Sequence, residues 1–426
     1  VRPLLALLPW LAAVAAPSDA PIAIVGARVA TVSGPVLPKA TVVLAGGRIA
    51  AVGAEVEVPA GATVIDGSGQ TVYPGLIDAL TTLGLTEIGS VPGSVDTTEV
   101  GDVNPQARAW VAVHPHSDLL AVARAGGVTA ALAAPQGGLL SGQSALIRMS
   151  GDTPQAMTVK GPAAMHGVYP TGRPPFDISQ LFQEPELKTF EERQRDKKKN
   201  QEKALKRLGD LLEQAKAQAG TAAGAALAPR PDLSLEALAP VARGELPLVL
   251  RADTEDDIRG AVRFAAERGL KLIVAGGLEA WRVTDLLKER DVPVLVNVDR
   301  VPRRESDPYD AAFANPAALH RAGIRFAIVS DDASQSRNLP YEAAMAHAFG
   351  LPAEAALRAI TLSPAEIFGV ADRLGTVEAG KDATVIVADG DIMDHRTHVT
   401  HVFIDGVAQS LETRHTRLYR EFKDRP

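Results

Sequence analysis

Between residues 119 and 349 the chain alternates short apolar runs with longer helical patterns, and this rhythm narrows the folds open to it more than any other feature. Residues 119–125 read as helix and 128–132 as strand. The pattern then gives strand 248–250, helix 254–268, strand 272–274, helix 279–290 and strand 294–296. It continues with helix 317–321, strand 326–329 and helix 341–349. Strands separated by helices of this length imply a parallel sheet covered by helices. Ala125-Gly-Gly-Val-Thr129 and Ala322-Gly-Ile-Arg-Phe326 each read as a helix end capped by glycine ahead of a buried strand.

Both ends of the chain have another character. Residues 22–25, 27–32, 40–44, 48–52 and 63–65 are short β-branched runs, and Gly46-Gly47 marks a hairpin turn. Residues 383–387 and 399–404 repeat the style. Neither end has enough strands to close a sheet alone, so the expectation is one small β-sandwich from 20–72 and 373–426 around an α/β body at 73–372. A chain of 426 residues accommodates one large and one small domain. The segment 179–218 breaks the rhythm. It is strongly charged, yet Leu205, Leu208, Leu211 and Leu212 keep helical spacing. It reads as a long amphipathic helix, either a lid or partner arm or a solvated helix with one core-facing stripe. The Ala/Gly/Pro-rich stretch 219–231 reads as a linker.

Hydrophobic residues make up 46% and charged residues 22%, which fits a globular protein. The net charge of −7 and the lack of a basic patch interleaved with aromatics exclude a nucleic-acid partner. Arg2, the apolar run 3–14 and the small residues at 13–16 read as a signal peptide over 1–19, with no membrane span after its removal. With no cysteine there is no disulfide, no thiolate metal site and no cysteine nucleophile. A periplasmic or secreted bacterial protein is expected.

Five stretches carry a resemblance. They are Pro74-Gly-Leu-Ile-Asp78-Ala-Leu80-Thr-Thr82, Ala125–Thr129, Ile328-Val-Ser-Asp331-Asp332, the helical run 355–365, and Gly375–Ala383 with its final turn at Ile404-Asp-Gly406. In this order and spacing they resemble the amidohydrolase superfamily, in its imidazolonepropionase-like branch. The resemblance implies an α/β fold, a (β/α)8 TIM-like barrel with its site at the C-terminal ends of the strands. It also implies hydrolysis of C–N bonds in non-peptide or cyclic amides by a divalent metal, usually zinc. The family holds that metal with two first-strand histidines, often a bridging carboxylated lysine or a glutamate, histidines of strands five and six, and an eighth-strand aspartate. The metal makes hydroxide from bound water and the aspartate moves its proton.

This chain departs from that ligand set. Leu80 and Thr82 stand at the first-strand histidines of P-G-x-I-D-x-H-x-H, Arg251 at the fifth-strand histidine and Gly276 at the sixth. Asp331 remains as the catalytic candidate, and His166, Arg251, Asp253, Thr82 and Ser330 are pocket candidates. An Asp331–Arg251 pair is expected to fill the space of the metal. No cofactor is expected. Zinc enters only under the alternative of an active hydrolase with an atypical site around Asp331, Asp253 and His166. The expected role is binding of a small molecule, or pairing with an active paralogue or with a second copy as a homo-oligomer. His114-Pro-His116 reads as a turn into a helix, and His395, His398 and His401 as a solvated group beside the small sheet. Gly137-Gly-Leu-Leu-Ser-Gly-Gln-Ser144 reads as a glycine-rich loop, and Ser330–Asn338 as a polar run at the mouth.

Overall fold

The computed structural model describes residues 20–171, 189–221, 232–299 and 306–425. The expected signal peptide, the start of the charged insertion and most of its linker fall outside them. Five strands come first: β1 (Ile22–Val29), β2 (Leu37–Ala45), β3 (Arg48–Gly53), β4 (Thr63–Asp66) and β5 (Thr71–Pro74). Eight follow: β6 (Leu76–Thr81), β7 (Val128–Ala133), β8 (Gly142–Arg148), β9 (Thr158–Val168), β10 (Leu248–Ala252), β11 (Leu272–Gly276), β12 (Val294–Val296) and β13 (Phe326–Ile328). The last three are β14 (Val385–Ala388), β15 (Val399–Ile404) and β16 (Val407–Ala408).

Both chain ends join one sheet, ordered β16-β15-β14-β5-β1-β2-β3 with β4 paired to β1. The small β domain expected from both chain ends is present: its strands share one hydrogen-bonded sheet that folds back on itself, so that Val42 and Ile49 share a core with Val385 and Phe403. β1 passes through Gly26, where the pattern suggests two strands, and a register shift near Gly26 takes up the irregularity. β14 shows why both faces are apolar. Val385 and Val387 pack with Ile24, Val42 and Phe403. Ile386 and Ala388 point the other way, into the layer between barrel strands and helices.

The second sheet runs β13 through to β6 in reverse chain order and curls into a barrel. Ile77, Leu132, Leu146, Ala164, Val249, Ile273, Leu295 and Ala327 fill its interior, with Phe368 in the same cluster. On β10 the alternate residues Leu248 and Leu250 face the helical layer. Each fully buried Leu or Ile contributes about 1.5–3 kcal/mol by leaving water. The covering helix Glu255–Ala266 turns Ile258, Ala261, Val262 and Ala265 inward, and the Thr254 hydroxyl caps its start by accepting from Asp257 N at 3.2 Å.

One barrel strand corrects the expected alternation. β8 pairs antiparallel with both β7 and β9. Gly142–Ser144, expected in a loop, are its first residues; the turn lies before them, with Gly137 and Gly138 at positive φ. The links on either side of β8 are too short for the crossover that a parallel strand needs, so the chain reverses instead.

The barrel closes between β6 and β13 without a regular ladder. Asp331 N donates to Leu80 O (3.0 Å), Ser330 N to Asp78 Oδ1 (3.1 Å) and Ala333 N to Thr82 Oγ1 (3.2 Å). Two of these three acceptors are side chains. At the start of β6, a Cβ on Gly75 would lie 2.0 Å from Thr129 Oγ1. The Pro-Gly step and the Gly-Gly-Val-Thr step are therefore one packing unit.

The charged insertion includes the helix Phe190–Thr221. Leu208, Leu212 and Ala215 are buried, and the helix packs on Leu233–Ala242. Arg207 Nη1 reaches both carboxylate oxygens of Asp102 at 3.2 Å, tying the helix to a mouth loop. Among the described residues no helix is long and apolar enough to cross a membrane.

Candidate functional site

The C-terminal ends of the barrel strands open on a cavity of about 470 Å³, whose walls include Leu80, Ser141, His166, Arg251, Asp331 and Asp332. A larger hollow of about 610 Å³ lies at the other end, beside Leu272, Pro293 and Phe368. We take the smaller cavity as the candidate, because barrel chemistry is carried by loops at the C-terminal face.

Arg251 faces inward because it lies two residues beyond Val249, which packs inside the barrel. Asp331 follows β13 in a left-handed conformation, φ 61°. Arg251 Nη2 donates to Asp331 Oδ1 in a short ion pair. The Arg251 side chain keeps 33% exposure while that of Asp331 is 6% exposed, and Arg251 lines the cavity. Burial works against the Arg251 charge, but Asp331 and Asp253 outweigh it and raise its pKa. His166 sits one layer deeper, opposite Val249. Burial, helped by the Arg251 charge, pushes its pKa down to about 3, so the ring is neutral at ordinary pH. Its Nε2 lies 2.8 Å from Ser144 Oγ, whose proton reaches Ala164 O at 3.4 Å. The neutral ring thus shares one hydrogen bond with the Ser144 hydroxyl through Nε2.

The other candidates brace the cavity and do not line it. Thr82 is buried and its hydroxyl accepts from Ala333 N. Ser330 lies beneath the floor and donates to Asp78. Asp253 stands against Gly276, where a Cβ would come within 2.2 Å of its Oδ1. Gly276 also has φ +87°, so a histidine there is opposed by the backbone and by Asp253 together.

These residues do not fit a divalent ion. Leu80 offers no donor atom, Thr82 is engaged in the seam, Gly276 has no side chain, and Arg251 places a cation on Asp331. Among the described residues no three of His, Cys, Asp or Glu converge as a metal-binding group. His114 and His116 lie in an exposed turn, where His116 N donates to His114 Nδ1 at 3.2 Å. The helix Asp118–Ala125 that follows is capped by Ser117. His395 and His398 are exposed beside Asp394 and Asp389.

Sequence reasoning missed Asp78 as a working residue. It is fully buried, and its Oδ2 accepts from Ser330 Oγ in a short bond and from Ser336 Oγ at 2.9 Å. Its Oδ1 accepts from Ser330 N at 3.1 Å and Leu80 N at 3.5 Å. Thr81 Oγ1 meets Ser336 Oγ at 2.8 Å and extends the network. Burial outweighs these donors and pushes the carboxyl up to about 6. The signal was available: β6 is buried at all six positions, and a carboxyl there requires partners.

Comparison with known proteins bears on this arrangement. The amidohydrolase family model matches residues 251–408. The amidohydrolase tasK of Hapsidospora irregularis is 24% identical over 389 residues, covering 83% of this chain and 38% of that protein. The chain thus spans about two fifths of that relative's length. Among solved structures, an amidohydrolase from Thermotoga maritima MSB8 is similar over 91% of this chain and 99% of its own, with a TM-score of 0.79 and 25% identity. A molinate hydrolase covers 92% of this chain and 95% of its own, with a TM-score of 0.55 and 16% identity, a likeness of fold alone.

Proposed function

The chain belongs to the amidohydrolase superfamily, and from that premise we propose that its barrel mouth binds a small molecule and has lost the superfamily's metal-dependent hydrolysis of C–N bonds. The observation that carries this reading is the Arg251–Asp331 ion pair. A catalytic zinc needs about three protein ligands and an open position for water. Its function there is to make hydroxide near neutral pH. Here the eighth-strand carboxylate is held by a guanidinium from the fifth strand. Removing that partner to admit an ion would strip a 6%-exposed carboxylate of a charge-assisted hydrogen bond. The reading includes no resident cofactor. It extends to a protein exported to the periplasm or beyond, acting alone, as a homo-oligomer, or beside an active paralogue.

The test is elemental analysis of the purified chain together with hydrolysis assays on lactams and dipeptides, with and without added zinc or manganese. The expected result is metal well below one equivalent and no metal-stimulated turnover. About one equivalent of tightly held metal, lost along with an activity in Asp331→Asn, would instead establish an active hydrolase with a site around Asp331, Asp253 and His166.

A further inference from the structure

The helix Arg414–Phe422, which follows β16, is anchored at its start. Thr413 is buried and makes a reciprocal cap: Thr416 N donates to Thr413 Oγ1 at 3.2 Å, and Thr413 N donates to Thr416 Oγ1 at 2.9 Å. Arg414 Nη1 lies 3.4 Å from Asp118 Oδ2. Beyond that anchor the helix buries none of its nine residues. A helix shorter than about 12–15 residues is marginal in water by itself and takes its stability from an apolar face packed on something.

At about 100° per residue, Leu418, Phe422 and Tyr419 share one stripe roughly 100° wide. Phe422 is 37% exposed and Tyr419 69%. Lys423 falls beside the stripe on the Tyr419 side, and Arg425 stacks on the Phe422 ring at 3.8 Å. Arg417 and Arg420 take the opposite face. Residues 414–425 thus hold five cations against Glu421 and Asp424, an excess of three in a chain whose net charge is −7. Arg420 meets Glu412 at 3.4 Å, whereas Arg417, Lys423 and Arg425 meet no carboxylate among the described residues.

We propose that this helix lies on the surface of an anionic phospholipid bilayer, its stripe at the headgroup–acyl boundary and its cations on the headgroups. The positive excess sets the sign of the lipid. The size of the face favours lipid over a protein partner. Nine residues span about 14 Å and present a side about 10 Å wide, far below the roughly 800 Å² that a stable interface takes from each partner. A bilayer needs no such area, because each basic residue near an anionic surface strengthens binding about fivefold. Tyr419 suits that boundary, with its ring in the apolar layer and its hydroxyl in water. The helix is too short to span a hydrocarbon core about 30 Å thick, so it lies in the surface plane.

The experiment is flotation of the full chain with vesicles of phosphatidylcholine alone and of phosphatidylcholine mixed with phosphatidylglycerol. Binding is expected to the mixed vesicles only, and it should weaken as salt is raised. Tyr419→Ser with Phe422→Ser, and separately Lys423→Gln with Arg425→Gln, should each weaken it roughly tenfold or more. All four residues are exposed, so neither pair disturbs a core, and an unchanged circular dichroism spectrum checks the fold. The proposal is overturned if both vesicle types bind alike, if neither binds, or if the variants bind as the wild type does. It is also overturned if the wild type is a dimer that Tyr419→Ser with Phe422→Ser makes monomeric, since a second copy would then cover the stripe.

Discussion

Asp78 closes the barrel between its first and eighth strands, and Asp382 ties β3 to the segment that leads from the last barrel helix into β14. Both carboxylates are buried, at 0% and 5% exposure, but their partners differ in kind. Asp78 has only neutral donors, two serine hydroxyls and two backbone amides. Asp382 has two arginines: Arg48 Nη1 at 2.6 Å from Oδ1, and Arg373 Nε and Nη2 at 2.9 and 2.8 Å from Oδ2. A second ion pair, Arg148–Asp405, joins β8 to the turn after β15. The comparison separates two ways of keeping a carboxylate inside a protein. Countercharge compensates the ion, and removing one member strands the other. Hydroxyls satisfy its lone pairs without neutralising it, so protonation relieves what burial costs.

The largest effect is therefore expected at the arginine-held seam. Asp382→Asn keeps the shape, removes the charge and leaves Arg373 half-buried without its partner. A loss of about 3 kcal/mol in urea unfolding is expected. A loss under about 1 kcal/mol, the range of exposed pairs, would mean that apolar packing alone holds β3 to the segment before β14. The hydroxyl-held seam should respond to pH instead. The folded-state pKa of Asp78, about 6, lies above its ordinary 3.8. Its contribution is thus full below pH 3.8 and lost as pH rises through 6. Relative to Asp78→Asn, the wild type should lose on the order of 2–3 kcal/mol between those limits. Parallel stability-versus-pH curves for the two proteins would contradict that account.

The barrel was legible because alternating apolar runs and helical patterns leave few alternatives, and because Pro74-Gly75 and Thr129 mark a packing contact in the sequence itself. The direction of β8 was not legible. An antiparallel strand buried on both faces has the same apolar run as a parallel one, and only the length of its links distinguishes them. Leu80, Arg251 and Gly276 could be singled out because each falls inside a longer motif, and the structure places Leu80 and Arg251 on the cavity wall and Gly276 against Asp253. What the pattern could not separate is lining from bracing. Thr82 and Ser330 are polar and close to the mouth, yet their hydroxyls are spent across the β6–β13 seam. Asp253 lies beyond Gly276 because the missing side chain there makes room for its carboxylate. Asp78 stood in plain view inside an apolar strand, and asking where its hydrogen bonds go would have found it.

The smallest effect sharpens the comparison from within the arginine-held seam. Arg48 is 52% exposed and reaches Asp382 through one nitrogen, whereas Arg373 is 33% exposed and reaches it through two. If countercharge at the buried carboxylate is what matters, the two arginines are unequal. Arg48→Ala leaves Asp382 still paired with Arg373, and the lost interaction is largely solvated. A cost of about 0.5–1 kcal/mol is expected, shrinking as salt is raised from low to high. Arg373→Ala should cost more and depend less on salt, because the remaining partner is the exposed one. Equal losses in the two variants, both insensitive to salt, would place the strength of the junction in the alkyl packing of the arginine side chains, and the contrast with the hydroxyl-held seam would then be one of packing and not of charge.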